Sequence, residues 1–456
     1  MKFRIIFLSI SLACGSAHAL NVRDALVAAY QNNQELLEIR QKVIASHEQI
    51  VQAKSGFRPR VVAQAKGSVT KGRSKIDSDG LHRGSLSKNQ SGSVTVSQNI
   101  FNGFTDVAKV SKAEHEIFSA WAQLKTQEQE VFLKVIKAYL DLYAKYATVE
   151  LHKANVVAMK KNYETASTKR NIGEETLTQQ SAAEAQYADA QSRLESASAD
   201  LEAAKATFEQ LTGTVAPEYV DHPKELVEIP ESMELLQEVA LKENPRITQA
   251  REDIESAKQG KKIYTGQLLP SVELEASGQR SIGDEKRFIN SLDYNTGTSR
   301  TTSLNKSIGL TLSVPLYDQG TTRSQRRQAS ENVVATRIHF ERIRQETTQA
   351  CKQVYRAYLA AKTNMDNSAK QIQAQQVAVN GNMQEMEVGT KILFDVLQAQ
   401  TKLLEAKLGQ ISTIQKYYEN LYQMLSLQGK LTAEGLGLPV EIFRIEQKYD
   451  DIKNHI

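Results

Sequence analysis

Cysteine, proline and tryptophan are scarce in this sequence of 456 residues, which contains two, eight and one of them, respectively. The cysteines are Cys14 and Cys351, and Cys14 lies in an N-terminal segment that we expect to be removed. One remaining cysteine excludes an intrachain disulfide in the mature protein. Few prolines and many Ala, Gln, Glu and Lys residues favour long helices. Stability is therefore expected from packing and assembly.

Long apolar runs are also missing after residue 19. A membrane-spanning helix needs about 18 or more consecutive apolar residues, and no later stretch approaches that length. We therefore expect any membrane crossing to be made by β-strands, which lipid tolerates only in a closed barrel. A strong charge bias is absent too, because removing Lys2 and Arg4 from the 57 basic residues leaves 55 against 53 acidic ones. The balance gives no reason to expect nucleic acid binding.

Residues 1–19 have the form of a secretory signal peptide. A basic start precedes an apolar run from Ile5 to Ala13, and Ala17-His18-Ala19 has the A-x-A form of a cleavage site. An alternative interpretation makes Cys14 a lipoprotein cysteine, although Ser11-Leu12-Ala13 is a poor lipobox. The mature chain is therefore expected outside the cytoplasm.

The rest of the chain contains an internal repeat. Phe57–Val61 matches Leu268–Val272 at an offset of 211 residues, and Asn171–Gly173 matches Glu387–Gly389 at an offset of 216. A repeat of this length predicts two halves with the same order of elements. The predicted divisions are a first repeat over 20–213, an inter-repeat link over 214–233, a second repeat over 234–430 and a C-terminal tail over 431–456.

Alternation of apolar and polar residues predicts two strands in each half. Val61, Ala63 and Ala65, for example, alternate with polar residues, as in a strand with one apolar face. The four predicted strands are 59–70, 92–101, 270–282 and 306–316. Polar segments rich in Gly and Ser, at 71–91 and 284–305, are predicted to be hairpin loops exposed to water.

The remaining segments are predicted to be helical. Each half begins with a helix, and a sustained seven-residue apolar repeat predicts helices that supercoil to the left. The predicted helices that follow the strands are 102–172, 175–213, 318–388 and 390–430. The two longest contain no proline and would each span roughly 105 Å at a rise of 1.5 Å per residue. That length exceeds an ordinary domain.

Four strands do not make a closed barrel by themselves, and the edges of an open sheet are unsatisfied in lipid. Two copies would give eight strands with a filled interior, whereas three copies would give twelve strands and a lumen. Polar residues at the alternate positions, including Arg60, Lys66, Glu273 and Glu275, suit a water-filled lumen. The alternative for any single strand is a half-exposed strand of a soluble sheet.

No motif predicts catalysis, a cofactor or a metal site. The eight histidines are scattered, and His115-Glu116 lacks the second histidine of a zincin helix. Ser85–Lys88 has the S-x-x-K form but lies in a polar segment without the partner motifs. We therefore predict that the chain is not an enzyme.

Two runs of the duplicated chain resemble the TolC family of outer membrane efflux proteins: Gln98–Gly103 (QNIFNG), which follows a strand, and Gly389–Gln400 (GTKILFDVLQAQ). The resemblance implies an α+β membrane protein, a homotrimer with a twelve-stranded β-barrel to which each protomer gives four strands. The barrel would cross the lipid of the cell outer membrane and continue as a long α-helical coiled-coil tunnel in the periplasm. The link and the tail would form an equatorial region.

The resemblance also implies a function. The trimer would be a passive exit duct, a porin-like channel that serves multidrug efflux or type I secretion. Its partners would be a periplasmic adaptor (membrane fusion protein) and an inner-membrane transporter of the RND, ABC or MFS type. The sequence leaves open whether efflux or secretion is served. A further alternative is a structural or adaptor protein whose coiled coils span the periplasm and whose strands are soluble.

The helix-helix turns after the two longest helices are the candidate site. Gly173 and Gly389 suit a left-handed C-cap that ends each helix. By resemblance, these turns lie at the periplasmic end of the tunnel. In the family this end is narrowed by helices that coil inward, held by hydrogen bonds and salt bridges and ringed by aspartates.

Five residues carry the gate prediction, each by its match to the family pattern. Lys391 is the basic residue after the second turn, and Asp395 is the first ring aspartate. Gln398 stands at the second ring position, Gln179 at the aspartate position of the first repeat and Met386 at the aromatic tether. These departures predict a closed state that opens more readily than one with two aspartate rings. The alternative for Lys391 and Asp395 is an i, i+4 surface pair.

Overall fold

The computed structural model describes residues 21–75, 82–223, 230, 232–289, 294–446 and 449, so the predicted signal peptide lies outside the described residues. A short 3-10 turn, Ser55–Phe57, accompanies the main elements. In chain order these are α1 Val22–Asn32, α2 Gln34–Lys54, β1 Arg60–Lys75, β2 His82–Asn102, α3 Thr105–Asn171, α4 Leu177–Thr212, α5 Met233–Glu243, α6 Pro245–Gly266, β3 Ser271–Ile289, β4 Tyr294–Ser313, α7 Thr321–Glu387 and α8 Leu393–Leu427. The second six elements repeat the order of the first six.

Two compact units make up the chain. The described parts of Met1–Lys42, Ala122–Thr248 and Arg342–Phe443 form the first unit. The second unit consists of the described parts of Val43–Trp121, Gln249–Glu341 and Arg444–Ile456, and it contains the whole sheet.

The four strands form one antiparallel sheet in the order β1-β2-β3-β4. Residues directly opposite each other on paired strands point to the same face. One row across the sheet is Val61, Val96, Ala276 and Ile308, and a row on the other face is Lys66, Ser91, Ser281 and Ser303. Next to the helices the register therefore places most apolar residues of the four strands on one face and most polar residues on the other, although Arg280 and Lys306 belong to the mainly apolar face.

The strands are longer than the sequence predicts. Strand pairing occupies most of 71–91 and 284–305, so the prediction of hairpin loops there is wrong. In these segments both faces are polar, so the alternation disappears, but the backbone groups still pair with the neighbouring strand. Side chains also interact there, since Nε of Arg300 lies 3.7 Å from Oδ1 of Asp284. An α+β protein with four strands per chain is confirmed.

The core of the first unit lies between its helices. Side chains that are fully buried there include Leu26, Leu36, Phe132, Tyr139, Phe208 and Tyr422. Cys351 of α7 is buried as well, and burial raises the pKa of its thiol to about 11. No helix in the described ranges combines the length and the apolar character needed to cross a membrane.

Three tyrosines of α3 hold the start of the predicted link. Tyr139 Oη donates a hydrogen bond to the carbonyl of Asp221 at 2.8 Å, and Tyr146 Oη donates one to the carbonyl of Pro217 at 2.5 Å. The ring of Tyr143, between them, lies 5.5 Å from the ring of His222. Burial raises the pKa of all three phenols, and the hydroxyls of Tyr139 and Tyr146 donate in their protonated form.

The C-terminal tail is held by α3 and α1. The backbone N–H of Ala433 donates a hydrogen bond to Oε1 of Glu128 at 2.6 Å, and Arg23 Nη2 donates one to the carbonyl of Leu436 at 2.9 Å. Loss of water around the Glu128 carboxyl raises its pKa, although the N–H of Ala433 acts in the opposite direction.

We expect the attachment of the tail to weaken as pH rises. A carboxyl whose pKa is higher in the folded than in the unfolded state contributes its stability below the unfolded pKa, about 4.3, and loses it as pH rises through the folded pKa. The protection factors for hydrogen exchange of residues 431–438, which are corrected for the intrinsic pH dependence of amide exchange, should therefore fall as pH rises above about 4.3. Glu128→Gln should reduce this pH dependence, and Glu130→Gln, at an exposed position of α3, is the matched control. An unchanged pH profile in Glu128→Gln would contradict the assignment.

Candidate functional site

The end of α3 is closed by a glycine in the left-handed conformation, with φ of 83° at Gly173. The N–H of Gly173 donates to the carbonyl of Arg170 at 3.0 Å, and the N–H of Glu174 donates to the carbonyl of Lys169 at 2.9 Å. This pair of bonds is a Schellman motif, which satisfies the last carbonyls of a helix. The helix therefore stops at a defined residue.

The end of α7 has the same construction. Gly389 has φ of 83°, its N–H donates to the carbonyl of Met386 at 3.1 Å, and the N–H of Thr390 donates to the carbonyl of Glu385 at 2.9 Å. The hydroxyl of Thr390 donates to the same carbonyl, also at 2.9 Å. In both halves the left-handed conformation is the one expected from the sequence.

Gln179 lies in the first turn of α4 and caps that helix. Its Oε1 accepts the N–H of Thr176 at 3.1 Å, while its own N–H donates to Oγ1 of Thr176 at 3.2 Å. This reciprocal pair is a capping box, which satisfies two of the backbone donors at a helix start. Gln179 therefore has a local structural role.

Asp395 occupies the corresponding position of α8. Its Oδ2 accepts the N–H of Ile392 at 3.3 Å, and its carboxylate lies in the first turn, where the helix dipole favours negative charge. Within the described part of the chain Lys391 forms no ion pair with Asp395 at 4.0 Å or less. Since α8 begins at Leu393, Lys391 precedes the helix, and the i, i+4 surface pair is not formed.

A hydrophobic cluster joins the two helix pairs beside these turns. Its buried members come from α3, α4 and α8 and are Met159, Ala166, Ala183, Ala190, Leu393 and Leu397. Met386 of α7 packs against the cluster, as do Tyr163 and Tyr187, whose rings stack with centroids 6.2 Å apart. The position of the aromatic tether thus holds a side chain that packs within the chain.

Polar contacts between helices complete the site. Asn162 Nδ2 of α3 donates to Oε1 of Gln400 of α8 at 2.7 Å, and Arg170 Nη1 donates to Oε1 of Gln180 at 2.5 Å. Gln398 is exposed, three residues after Asp395. The described residues contain no group of three or more His, Cys, Asp or Glu side chains placed to hold a metal ion.

The structure thus brings all seven candidate residues to the ends of α3 and α7 and the starts of α4 and α8. The capping bonds of Gln179 and Asp395 were not predicted from the sequence. An acid or amide three residues after a helix-starting Thr is the signal that predicts a capping box in the first case.

The chain is similar in sequence to known outer membrane proteins. The model of the family described as outer membrane efflux protein matches residues 25–214 and 236–430. The outer membrane efflux protein BepC of Brucella suis is 28% identical over 430 residues, which cover 94% of this chain and 90% of BepC. The outer membrane protein TolC of Escherichia coli is 24% identical over 443 residues, covering 95% of this chain and 87% of TolC.

A solved structure shares the fold. The crystal structure of CusC superposes with a TM-score of 0.76 at 12% identity, covering 91% of this chain and 95% of CusC. Because the family model matches most of the chain, in both repeats, the chain belongs to the outer membrane efflux protein family and is an outer membrane channel component of an efflux or secretion system.

Proposed function

We propose that three copies of the chain form a passive exit duct. The pairing of the strands in the sheet is the observation that supports this proposal. In the described residues β1 pairs only with β2, and β4 pairs only with β3, so both edges offer unpaired backbone groups. In the part of the sheet next to the helices, one face is mainly apolar and the other is polar. Pairing β4 of one protomer with β1 of the next satisfies the edges and gives twelve strands around a polar lumen.

The remaining divisions of the chain follow from the same proposal. Residues 20–213 and 234–430 supply the two structural repeats of each protomer. The link, 214–233, and the tail, 431–456, form the equatorial region, and the hydrogen bonds of Tyr139 and Glu128 support packing of both segments on α3.

The duct itself performs no reaction and moves nothing uphill, so we propose that its partners supply the energy. A periplasmic adaptor and an inner-membrane transporter of the RND, ABC or MFS class fill these roles. Exposed apolar side chains near the helix turns support an adaptor contact, since such side chains mark interaction surfaces. They include Ile172, Val388 and Phe394, which are 66%, 75% and 55% exposed. Deletion of the gene, followed by parallel assays of drug sensitivity and exported protein, separates efflux from secretion.

The gate of this duct is proposed at the turns that end α3 and α7. Three Asp395 carboxylates, one from each protomer, would ring the axis and attract cations. Lys391 and Gln398 lie next to this ring in the sequence, while Gln179 adds no charge in the other repeat. Met386 packs against its own chain and supplies neither an aromatic ring nor a charge. The closed state therefore relies on one aspartate ring and amide hydrogen bonds.

Replacing Asp395 with asparagine tests the ring without removing the cap. The amide oxygen still accepts the N–H of Ile392, but three charges disappear from the trimer. We expect block by a divalent cation, measured as current through the protein in a planar bilayer, to weaken at least about fivefold, the effect of about 1 kcal/mol of Coulomb attraction. Cation selectivity should fall as well.

Glu405→Gln is the matched control, because it removes one exposed carboxylate of the same helix at a distance from the turn. It should leave block and selectivity unchanged. If Asp395→Asn keeps the selectivity and block of the parent protein, Asp395 does not line the constriction.

A further inference from the structure

A cavity of about 680 Å³ lies in the second unit where the sheet meets the helices. The start of α3, the end of α6 and one turn of α7 form its walls. Its apolar lining includes Phe104, Val107, Leu269 and Val333. Phe104, Val107 and Leu269 remain 65%, 55% and 43% exposed, so the cavity is an open groove with apolar walls.

The groove lies on the apolar side of the sheet. Phe101 is directly opposite Val272, which is itself opposite Leu312, so all three belong to the apolar face. The ring of Phe104 packs edge-on against the ring of Phe101, with centroids 5.2 Å apart. In the outer membrane, the apolar face of the sheet is the one that contacts lipid. The groove therefore extends this face at the end of the sheet where the helices begin.

Four basic residues line the same groove: Lys258, Lys261, Lys262 and Arg337. Nζ of Lys258 lies 2.6 Å from Oε1 of Glu255 and is therefore paired. Lys261, Lys262 and Arg337 are exposed, and among the described residues no carboxylate lies within 4.0 Å of their charged nitrogens. The groove thus combines an apolar wall with cations that have no protein counterion in the described chain.

We propose that this groove binds a glycerophospholipid of the membrane leaflet that faces the periplasm. Its phosphate would contact Lys261, Lys262 and Arg337, while an acyl chain lies along Phe104 and Leu269. Aromatic and basic side chains are typical of the level where lipid headgroups meet water, and long basic side chains reach a headgroup while their methylenes cover apolar surface. A free phosphate ion would contact the basic residues but would leave the apolar wall exposed to water. The proposal depends on the outer membrane location and not on the gate.

The test uses the full-length protein, purified in a non-ionic detergent and titrated with phosphatidylglycerol. The triple variant Lys261→Gln, Lys262→Gln, Arg337→Gln should bind this lipid at least about tenfold more weakly, because it removes three cations that attract the anionic headgroup. The triple variant Lys352→Gln, Lys362→Gln, Lys370→Gln loses the same charge at exposed positions of α7 and should bind like the parent.

Four further measurements identify the source of the ligand and test for misfolding. Diacylglycerol, which lacks the phosphate, should bind equally weakly to parent and variant, and inorganic phosphate should not displace phosphatidylglycerol. Lys261→Arg with Lys262→Arg should retain binding, and all variants should unfold at the temperature of the parent. Equal binding of phosphatidylglycerol by the parent and the Gln variant, or displacement by inorganic phosphate, would overturn the proposal. So would a protein partner that competes with the lipid for these residues.

Discussion

Replacing Gly103 with alanine is expected to lower strongly the yield of folded protein in the outer membrane. Gly103 follows β2 with φ of 66°, a conformation that costs an L-residue about 1–2 kcal/mol. A Cβ at this position would also overlap the backbone oxygen of Gly266 and lie 2.9 Å from Cβ of Leu269. Overpacking costs about 1–3 kcal/mol more, and the atom that must move is backbone. Yield of heat-modifiable protein in the outer membrane fraction measures the effect.

Alanine substitutions at two other glycines distinguish the conformational cost from the steric overlap. Gly320, at the start of α7, has φ of 81° but open space around it, so Gly320→Ala carries only the conformational cost. Gly266→Ala carries the overlap, because its Cβ would meet the carbonyl of Gly103 and lie 2.6 Å from Oγ1 of Thr105. We therefore expect Gly103→Ala to be the most damaging and Gly320→Ala the least. Equal yields from Gly103→Ala and Gly320→Ala would show that the close backbone approach has no importance.

Tyr139→Ala should destabilise the first unit by about 3–5 kcal/mol. Tyr139 is fully buried, so truncation leaves a large cavity in the helical core. Tyr139→Phe keeps the ring and loses the hydrogen bond to Asp221, which should cost about 1 kcal/mol and leave an unpaired carbonyl in the link. Denaturant unfolding gives the stabilities, and limited proteolysis within the link reports its release from α3.

Tyr143→Phe is the control for the hydroxyl effect, because its ring contact with His222 survives the change. Its stability and its proteolysis pattern should match those of the parent. A Tyr139→Phe protein as resistant to proteolysis in the link as the parent would contradict the role of this hydrogen bond.

The faces of the strands and the ends of the long helices were the parts of the fold most open to prediction. Alternation around Val61 and Val96 requires one apolar face, and the register confirms that these residues are directly opposite. The ends of the strands were not predictable, because a strand with two polar faces carries no alternation. Segments such as 298–303, rich in Thr and Ser, have strand propensity but also the composition of a loop.

The candidate site, too, could be predicted only in part from the sequence. A glycine at the end of a long helix predicts the left-handed turn from local chemistry alone, as at Gly173. The cluster against which Met386 packs includes side chains of α3 and α4, which are far away in the sequence. The basic groove was not predictable either, because Phe104, Lys262 and Arg337 meet only once three segments of the chain are placed together.

The paired register of the sheet also limits how the gene can change in length. Because side chains alternate between the faces, one inserted residue within a strand would exchange every later side chain in that strand between the apolar and the polar face. Two inserted residues restore the alternation. Insertions and deletions that survive selection should therefore occur in even steps within the strands, except where a β-bulge absorbs one residue, as between Asn99 and Phe101.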